Sequence, residues 1–349
     1  MQADEAKAVA VQDTVLVTPT DVKESFVHSL SNLDQLNAFI PCYFPILYFF
    51  RSGAETPAAA TKLVPSLKQA LAEALDLYPV LAGRLRKGKG GLLEVEVNGK
   101  GVEFSVATTE ARLDAWEDLR FCSIALQLVP NKPFMFGEML IGAPPACVQV
   151  TTFQCGGVAI SLSFLHALGD MQAMAEFVEA WACIHRDPLS PPITPCLDTA
   201  ALLRSRDPPT VDVPIDGLMQ LSGIQHGQNS ENKEGEGEGS PNSLLAAMST
   251  VNAVLRMGDA KVAEAVREVE SGPYSYGRAS SFEVVAGLLW VALTRARDLP
   301  PDSSTRFALP VNMRQRWRPP LPPRFFGNAA VPAMAIARSG DLVAPTQQS

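Results

Sequence analysis

The chain has 349 residues, of which 47% are hydrophobic and 19% are charged. This length is enough for about two domains, and a chain with so many apolar residues is not wholly disordered. The formal net charge of −8 excludes a nucleic-acid partner that is bound through a basic overall field.

The first part of the chain predicts strands around one helix. Residues 25–50 are rich in strand formers, and residues 92–97 alternate as a second strand. Between them, a helix is predicted to begin at Pro65 and to end near Tyr78, because Pro79 disfavours helical backbone in the residue before it. The helix has one apolar face, formed by Leu67, Ala70, Leu71, Ala74 and Leu75.

The centre of the chain predicts two strands, a sharp turn and a helix. Residues 145–153 and 158–165 read as strands, and residues 154–157 between them resemble a hairpin turn. After Asp170 the apolar period changes to that of a helix. The residues at this helical spacing are Met174, Phe177, Val178 and Trp181.

The last part of the chain predicts two helices and a short strand. The helices cover residues 243–270 and 282–295, with Ser280 or Ser281 as the N-cap of the second. The strand covers residues 307–311. The whole pattern therefore predicts two α/β pieces.

The sequence indicates a cytoplasmic protein without a metal site. Its first residues lack the basic and apolar regions of a secretory signal. No transmembrane segment is expected, because the apolar stretches are short or interrupted by proline and glycine. The six cysteines form no CxxC pair and have no suitably placed histidine, so most are expected to be buried, reduced thiols.

His166 and Asp170 stand at the junction between the central strand and its helix. A histidine there could take a proton as a general base, and Asp170 could hold its tautomer. Two structural alternatives remain open from the residues alone. His166 could be a satisfied buried polar group, and Asp170 could be the N-cap of the helix that starts at Met171.

Seven short motifs together carry a family resemblance. In chain order they are Leu30-Ser-Asn-Leu-Asp-Gln35, Tyr78-Pro-Val-Leu-Ala-Gly-Arg84, Phe153-Gln-Cys-Gly-Gly157, His166-Ala-Leu-Gly-Asp170, Ser281-Phe-Glu283, Pro310-Val-Asn-Met-Arg314 and Arg324-Phe-Phe-Gly-Asn328. This series resembles the plant BAHD family of CoA-dependent acyltransferases. The likeness covers about residues 25–342.

The resemblance implies a two-domain α/β fold of the chloramphenicol-acetyltransferase type. Residues 1–210 would form the N-terminal domain with the HxxxD motif. Residues 211–275 would form a crossover with a flexible Glu/Gly linker, and residues 276–349 part of a C-terminal domain.

The resemblance also implies a mechanism. His166 would deprotonate an alcohol or amine acceptor, which attacks the carbonyl of an acyl-CoA thioester, and CoA would leave without a covalent enzyme intermediate. Asp170 would point away from the substrate, order the loop and pair with Arg314. Acyl-CoA would be a cosubstrate, with no resident cofactor, and we expect a monomer; the CoA-binding residues are not identified.

Several positions depart from the family pattern. Met171 stands where glycine is usual, and Leu165 where a second histidine is common. The DFGWG motif is absent, so we expect a C-terminally truncated member whose second domain is incomplete. A catalytically impaired accessory or binding protein is therefore the alternative to an active enzyme.

The subgroup indicated by the first motif and by Arg206-Asp-Pro-Pro209 is that of hydroxycinnamoyl or feruloyl transferases. Their acceptors would be ω-hydroxy fatty acids or fatty alcohols. Shikimate and quinate hydroxycinnamoyl transferases are the competing subgroup.

Overall fold

A computed structural model describes residues 9–37, 43–51, 63–116, 126–130, 141–189, 193–204, 255–272, 275 and 277–343. The chain divides into two compact units. The first contains Met1–Ala253 and Trp317–Ala329, and the second contains Val254–Arg316 and Ala330–Ser349. The predicted boundary at residues 210 and 211 lies outside the described residues, and the predicted segments 1–210, 211–275 and 276–349 stay predictions.

Two sheets form the framework of the first unit. Their strands are β1 (Ala10–Val17), β2 (Phe26–Ser29), β3 (Tyr43–Phe50), β4 (Arg84–Lys87), β5 (Leu93–Val97), β6 (Val102–Thr109), β7 (Ala146–Phe153) and β8 (Val158–Leu165). The larger sheet has the order β1-β6-β7-β8-β3, and the smaller has the order β2-β5-β4. Only the β6–β7 pair among these described strands is parallel.

The helices of the first unit are α1 (Asn32–Asn37), α2 (Leu63–Leu77), α3 (Met171–Arg186) and α4 (Thr199–Leu202). The β-rich character predicted for residues 25–50 is confirmed by β2 and β3, but the sequence did not predict α1 between them. The helix has a local cause. The backbone N–H of Asp34 donates to Ser31 Oγ at 3.2 Å, and the Asp34 carboxylate accepts from Ser31 N–H at 3.0 Å, which starts a helix between two strands.

The two long helices of this unit pack on each other and contribute to one core with the larger sheet. All five residues of the predicted apolar face of α2 are buried, which confirms that face. On α3, Met174, Phe177 and Trp181 are buried, and Trp181 Nε1–H donates to the backbone oxygen of Leu67 at 3.1 Å. Each large apolar side chain buried here contributes roughly 1.5–3 kcal/mol.

The predicted hairpin of β7 and β8 is confirmed to within one residue. Gly156 in its turn has a φ of 77°, a left-handed conformation that favours glycine. Phe153 N–H donates to the oxygen of Gly157 at 2.9 Å and closes the turn. All eight residues of β7 are buried, so the hairpin is a central part of the sheet.

The second unit contains α5 (Asp259–Ser271), α6 (Ser281–Arg297), the antiparallel pair β9 (Ser304–Asn312) and β10 (Ala330–Arg338), and α7 (Ser339–Val343). The predicted helix over residues 243–270 is wrong at residues 255–258, which are not helical. Residues 243–254 lie outside the described residues, and α5 begins only at Asp259. Gly258 precedes it with extended backbone (φ −72°, ψ 151°) and acts as the N-cap residue.

Four of the six cysteines fall within the described residues. Cys147 is buried, whereas Cys155, Cys183 and Cys196 are half-buried, so the expectation of mostly buried thiols is wrong for these four. The half-buried cysteines lie in a turn, on a helix and in a connecting segment, where one side faces outward. In the described parts of the chain, no helix has both the length and the apolar character of a membrane span.

The N-cap of α6 is Ser280. Its hydroxyl accepts from Glu283 N–H at 3.2 Å, while the Glu283 carboxylate accepts from Ser280 N–H at 2.8 Å. These reciprocal bonds form a capping box, and the hydrogen bonds from Ser280 lower the pKa of Glu283.

We expect Ser280→Ala to lower the free energy of unfolding of the second unit by about 1 kcal/mol, because it removes the cap. Ser281→Ala is the matched control, since Ser281 is the first helical residue and is exposed. Amide hydrogen exchange in the first turn of α6 measures the effect. Equal effects of both substitutions would contradict the assignment of Ser280 as the cap.

Candidate active site

His166 follows the last residue of β8 directly, in a single 3₁₀ turn, His166–Leu168. β8 is paired on both sides, with β7 and with β3, so the sheet holds this end of the strand. The imidazole is half-buried, and the ring of Phe44 on β3 meets it edge-on with the ring centres 4.9 Å apart. The predicted position of His166 at the end of a strand is confirmed.

Gly169 completes the turn after His166, with extended backbone. A Cβ atom at this position would lie 2.9 Å from Cβ of Ala173 and 3.4 Å from the ring of Phe164. The first distance is shorter than real Cβ contacts. The turn therefore requires glycine because the chain passes close to α3 and β8, not because of an unusual φ angle.

Asp170 is 5% exposed and places its carboxylate between two backbone N–H groups. Oδ1 accepts from Ala173 N–H at 3.1 Å, which caps α3, and Oδ2 accepts from Ala329 N–H at 2.9 Å. The N-cap alternative considered from the sequence is confirmed. The second bond fastens a segment 159 residues later in the chain to the same turn.

The side-chain amide of Asn328 contacts both the ring and the backbone of His166. Asn328 Oδ1 lies 3.1 Å from Nδ1 of the imidazole, and Asn328 Nδ2 donates to the backbone oxygen of His166 at 2.8 Å. The same Nδ2 donates to Oδ1 of Asp34, also at 2.8 Å. Asn328 is fully buried.

Asp34 is 1% exposed, and both of its carboxylate oxygens are hydrogen-bonded. Oδ1 accepts from the backbone N–H and the side-chain amide of Asn328, each at 2.8 Å. Oδ2 accepts from the backbone N–H of Ser31 at 3.0 Å and from its hydroxyl at 2.6 Å. A buried carboxylate with this many donors is well compensated for its loss of water.

Aromatic packing fixes the segment that carries Asn328. Phe326 meets Tyr78 and Phe164 edge-on, with ring centres 5.0 Å and 5.9 Å away. Burial is the main cause that raises the pKa of Tyr78 to about 12. At Gly327, a Cβ atom would lie 2.5 Å from Thr199 Cγ2, so the chain passes α4 too closely for any other residue.

Four other residues were of interest from the sequence, namely Arg314, Met171, Leu165 and Cys155. Arg314 belongs to the second unit, is 6% exposed, and has Nη1 3.4 Å from Asn312 Oδ1. Met171, the first residue of α3, is 54% exposed, whereas Leu165 is buried. Cys155 accepts a hydrogen bond from Leu113 N–H at 3.3 Å.

Asp34 and Asn328 are the site residues that sequence reasoning missed. Both lie in quoted motifs, but 294 residues separate them, and neither residue type by itself indicates contact with a histidine. Within the described residues, no group of three or more His, Cys, Asp or Glu side chains could hold a metal ion.

A model of the Transferase family matches residues 7–348 of this chain. A hydroxycinnamoyltransferase of Narcissus pseudonarcissus is 28% identical over 337 residues, which is 96% of this chain and 72% of that protein. A fatty alcohol:caffeoyl-CoA acyltransferase of Arabidopsis thaliana is 29% identical over 339 residues, again 96% of this chain and 72% of the relative.

Two solved structures share the fold. Vinorine synthase superposes with a TM-score of 0.66 at 20% identity, over 96% of this chain and 74% of that one. TRI101 of F. graminearum, complexed with ethyl coenzyme A, superposes with a TM-score of 0.67 at 13% identity, over 92% and 71%. They confirm the predicted chloramphenicol-acetyltransferase-like α/β fold class.

The family match extends over nearly the whole chain and agrees with the motif series. The chain therefore belongs to the Transferase family, the BAHD acyltransferases, and is an enzyme that moves an acyl group from a CoA thioester to an alcohol or amine acceptor.

Proposed function

We propose that His166 is the general base of this acyl transfer and that the donor is a hydroxycinnamoyl-CoA. The observation that carries the first part is the position of His166. Its half-buried imidazole stands at the end of a strand that is paired on both sides, with one ring nitrogen engaged by Asn328. A base held in this way keeps its geometry while substrates bind and products dissociate.

The reaction needs one proton acceptor. The imidazole takes the proton of the acceptor hydroxyl or amine as the acceptor oxygen or nitrogen attacks the thioester carbonyl. The new C–O or C–N bond forms, the C–S bond breaks, and the proton passes from the imidazolium to the leaving CoA sulfur. Neutral imidazole suits this exchange because it both gains and loses a proton near neutral pH.

The donor class is supported by the names of the relatives. One is a hydroxycinnamoyltransferase, one uses caffeoyl-CoA with a fatty alcohol, and an omega-hydroxypalmitate O-feruloyl transferase of Arabidopsis thaliana is 27% identical. Caffeoyl and feruloyl groups are both hydroxycinnamoyl groups. We propose a long-chain alcohol or an ω-hydroxy fatty acid as acceptor, with shikimate as the competing candidate because a shikimate O-hydroxycinnamoyltransferase also matches.

Asp170 is proposed as a structural residue of the site. Its two carboxylate oxygens hold the first turn of α3 and the backbone at Ala329, which fixes the turn that carries His166. Its pairing with Arg314 stays a prediction. The absence of a resident cofactor, the monomeric state and the cytoplasmic location also stay predictions.

We expect His166→Ala to lower kcat/KM by about 10²- to 10⁴-fold, because it removes the general base. Release of CoA thiol from feruloyl-CoA or coumaroyl-CoA measures turnover, with a fatty alcohol, an ω-hydroxy fatty acid, an amine and shikimate as acceptors. His185→Ala is the matched control, since His185 lies at the other end of α3 and contacts Ser66 at 3.0 Å.

Unchanged turnover in His166→Ala would overturn the assignment of the base. If the wild-type protein releases no thiol with any of these acceptors, the accessory or binding role considered from the sequence is favoured instead.

Asp170→Asn should lower the free energy of unfolding by about 1–3 kcal/mol. One of the two oxygens becomes an NH₂ group, which then faces a backbone N–H donor at Ala173 or Ala329. Asp187→Asn is the matched control, because Asp187 caps the other end of α3 on the surface. Denaturant unfolding measures the loss, and the midpoints of the pH–rate profile should stay in place.

The assignment of Asp170 as structural would be contradicted by an Asp170→Asn protein of unchanged stability whose pH–rate profile is shifted. That result would give Asp170 a direct part in the proton transfer.

A further inference from the structure

A cavity of about 410 Å³ lies at the start of β8, the opposite end of this strand from His166. Side chains of β3, β8, α2 and α3 line it, among them Tyr48, Phe50, Leu63, Ile160, Trp181 and Ala182. Small-molecule sites in proteins have volumes of about 300–1,000 Å³, so the cavity is large enough for a ligand. The acyl transfer as described so far gives it no role.

The surface of this cavity is apolar. The atoms that face it are almost all carbon. The indole nitrogen of Trp181 is used elsewhere, because it donates to the backbone oxygen of Leu67 at 3.1 Å. A water molecule in a cavity needs about two to four polar partners, so these walls hold water poorly and favour an apolar ligand.

The cavity is open to solvent on one side. Ile160 is the one residue of β8 that is not buried, although the strand is paired on both sides. Ala182 on α3 is exposed, and Phe50 at the end of β3 is 51% exposed. An apolar ligand can therefore enter from the surface and cover carbon atoms that otherwise contact water.

One face of β3 connects the cavity with the imidazole of His166. Side chains alternate between the two faces of a strand, so the even-numbered residues from Phe44 to Phe50 share one face. At one end of this face the Phe44 ring meets the imidazole, with the ring centres 4.9 Å apart. At the other end Tyr48 and Phe50 line the cavity. Phe44, Ile46 and Tyr48 are half-buried, so a ligand can contact this face along its length.

The distance between the two ends determines what can occupy both. Ile160 precedes His166 by six residues, which is about 20 Å along a strand. A long alkyl chain spans this distance. The ring of a hydroxycinnamoyl donor does not, because a single C=C unit separates it from the carbonyl that must lie at His166. Its ring hydroxyl would also lose its hydrogen bonds with water against these carbon atoms.

The end group of the chain distinguishes the two long-chain acceptors. An ω-hydroxy fatty acid with its hydroxyl at His166 would bring its carboxylate to the cavity, and moving a carboxylate from water to apolar surroundings is costly. A fatty alcohol brings a methyl group instead. We propose that the cavity holds the far end of the alkyl chain of a long-chain alcohol acceptor, whose hydroxyl lies at His166. This inference rests on the proposed function and chooses among its acceptors.

The first measurement needs no turnover. Hexadecanol that carries a diazirine at the carbon farthest from its hydroxyl is bound to the wild-type protein and to His166→Ala, irradiated, and located by mass spectrometry. We expect the label in both proteins on residues that line the cavity, such as Ile160 and Ala182. Labelling that excess unmodified hexadecanol does not suppress, or that falls on other parts of the chain, would overturn the proposal.

The second measurement uses Ala182→Phe, which places a ring in the cavity. Each methylene that loses its contact with the cavity costs about fourfold in affinity, so we expect kcat/KM for hexadecanol to fall by about tenfold or more. The KM of feruloyl-CoA and the kcat/KM for hexanol should change little, because neither molecule reaches the cavity. Ala175→Phe is the matched control, since Ala175 is an exposed residue of α3 outside the cavity lining. In the wild-type protein, hexadecanol should be a better acceptor than ω-hydroxypalmitate.

The outcomes separate the cavity from the base. If Ala182→Phe raises the KM of feruloyl-CoA and leaves hexadecanol unaffected, the cavity holds the donor instead and the proposal is wrong, while the base assignment stands. If His166→Ala keeps its turnover but the label lies in the cavity, the base assignment fails and the chain site stands. A wild-type protein that uses ω-hydroxypalmitate as well as hexadecanol would contradict the choice of a methyl end. Should Ala182→Phe not fold, the position of the label decides.

Discussion

The buried carboxylate of Asp34 imposes the constraint on which this site depends. Removing a carboxylate from water costs several kcal/mol unless hydrogen-bond donors replace the water. At Asp34 the donors come from Ser31, three residues earlier, and from Asn328, 294 residues later. The hydrogen bonds with Ser31 are local, and they start helix α1. The hydrogen bonds with Asn328 require a segment late in the chain to pack against this helix, and this packing places Asn328 beside His166.

Asp170 makes a similar contact with the residue that follows Asn328. Asp34 accepts the backbone N–H of Asn328, and Asp170 accepts the backbone N–H of Ala329. Two buried carboxylates thus hold two consecutive amides, while Gly327 allows the chain to pass Thr199 at close range. Each of the two carboxylates accepts backbone N–H groups, so both aspartates hold the segment that lies beside His166.

The parts of this fold that the sequence predicted depend on neighbouring residues. The apolar face of α2, the β7–β8 hairpin and the capping roles of Ser280 and Asp170 all follow from spacings of a few residues. α1 was missed because its cap lies between strand formers. Residues 255–258 were wrongly predicted as helical because they continue a helical pattern that the extended backbone at Gly258 interrupts. No periodicity relates Asp34 to Asn328, and only the folded chain reveals their contact.

The order of the chain explains why the HxxxD spacing is a weak signal by itself. The first unit is completed by Trp317–Ala329, which follows the residues 254–316 of the second unit. Until that segment is in place, Asp34 lacks two of its hydrogen-bond donors and Asp170 lacks one. The His166 motif thus supplies the imidazole, whereas the Asn328 motif supplies the amide that contacts its ring and its backbone. The spacing within the HxxxD motif therefore carries no information about the contact with Asn328, which comes from a segment 162 residues later in the chain.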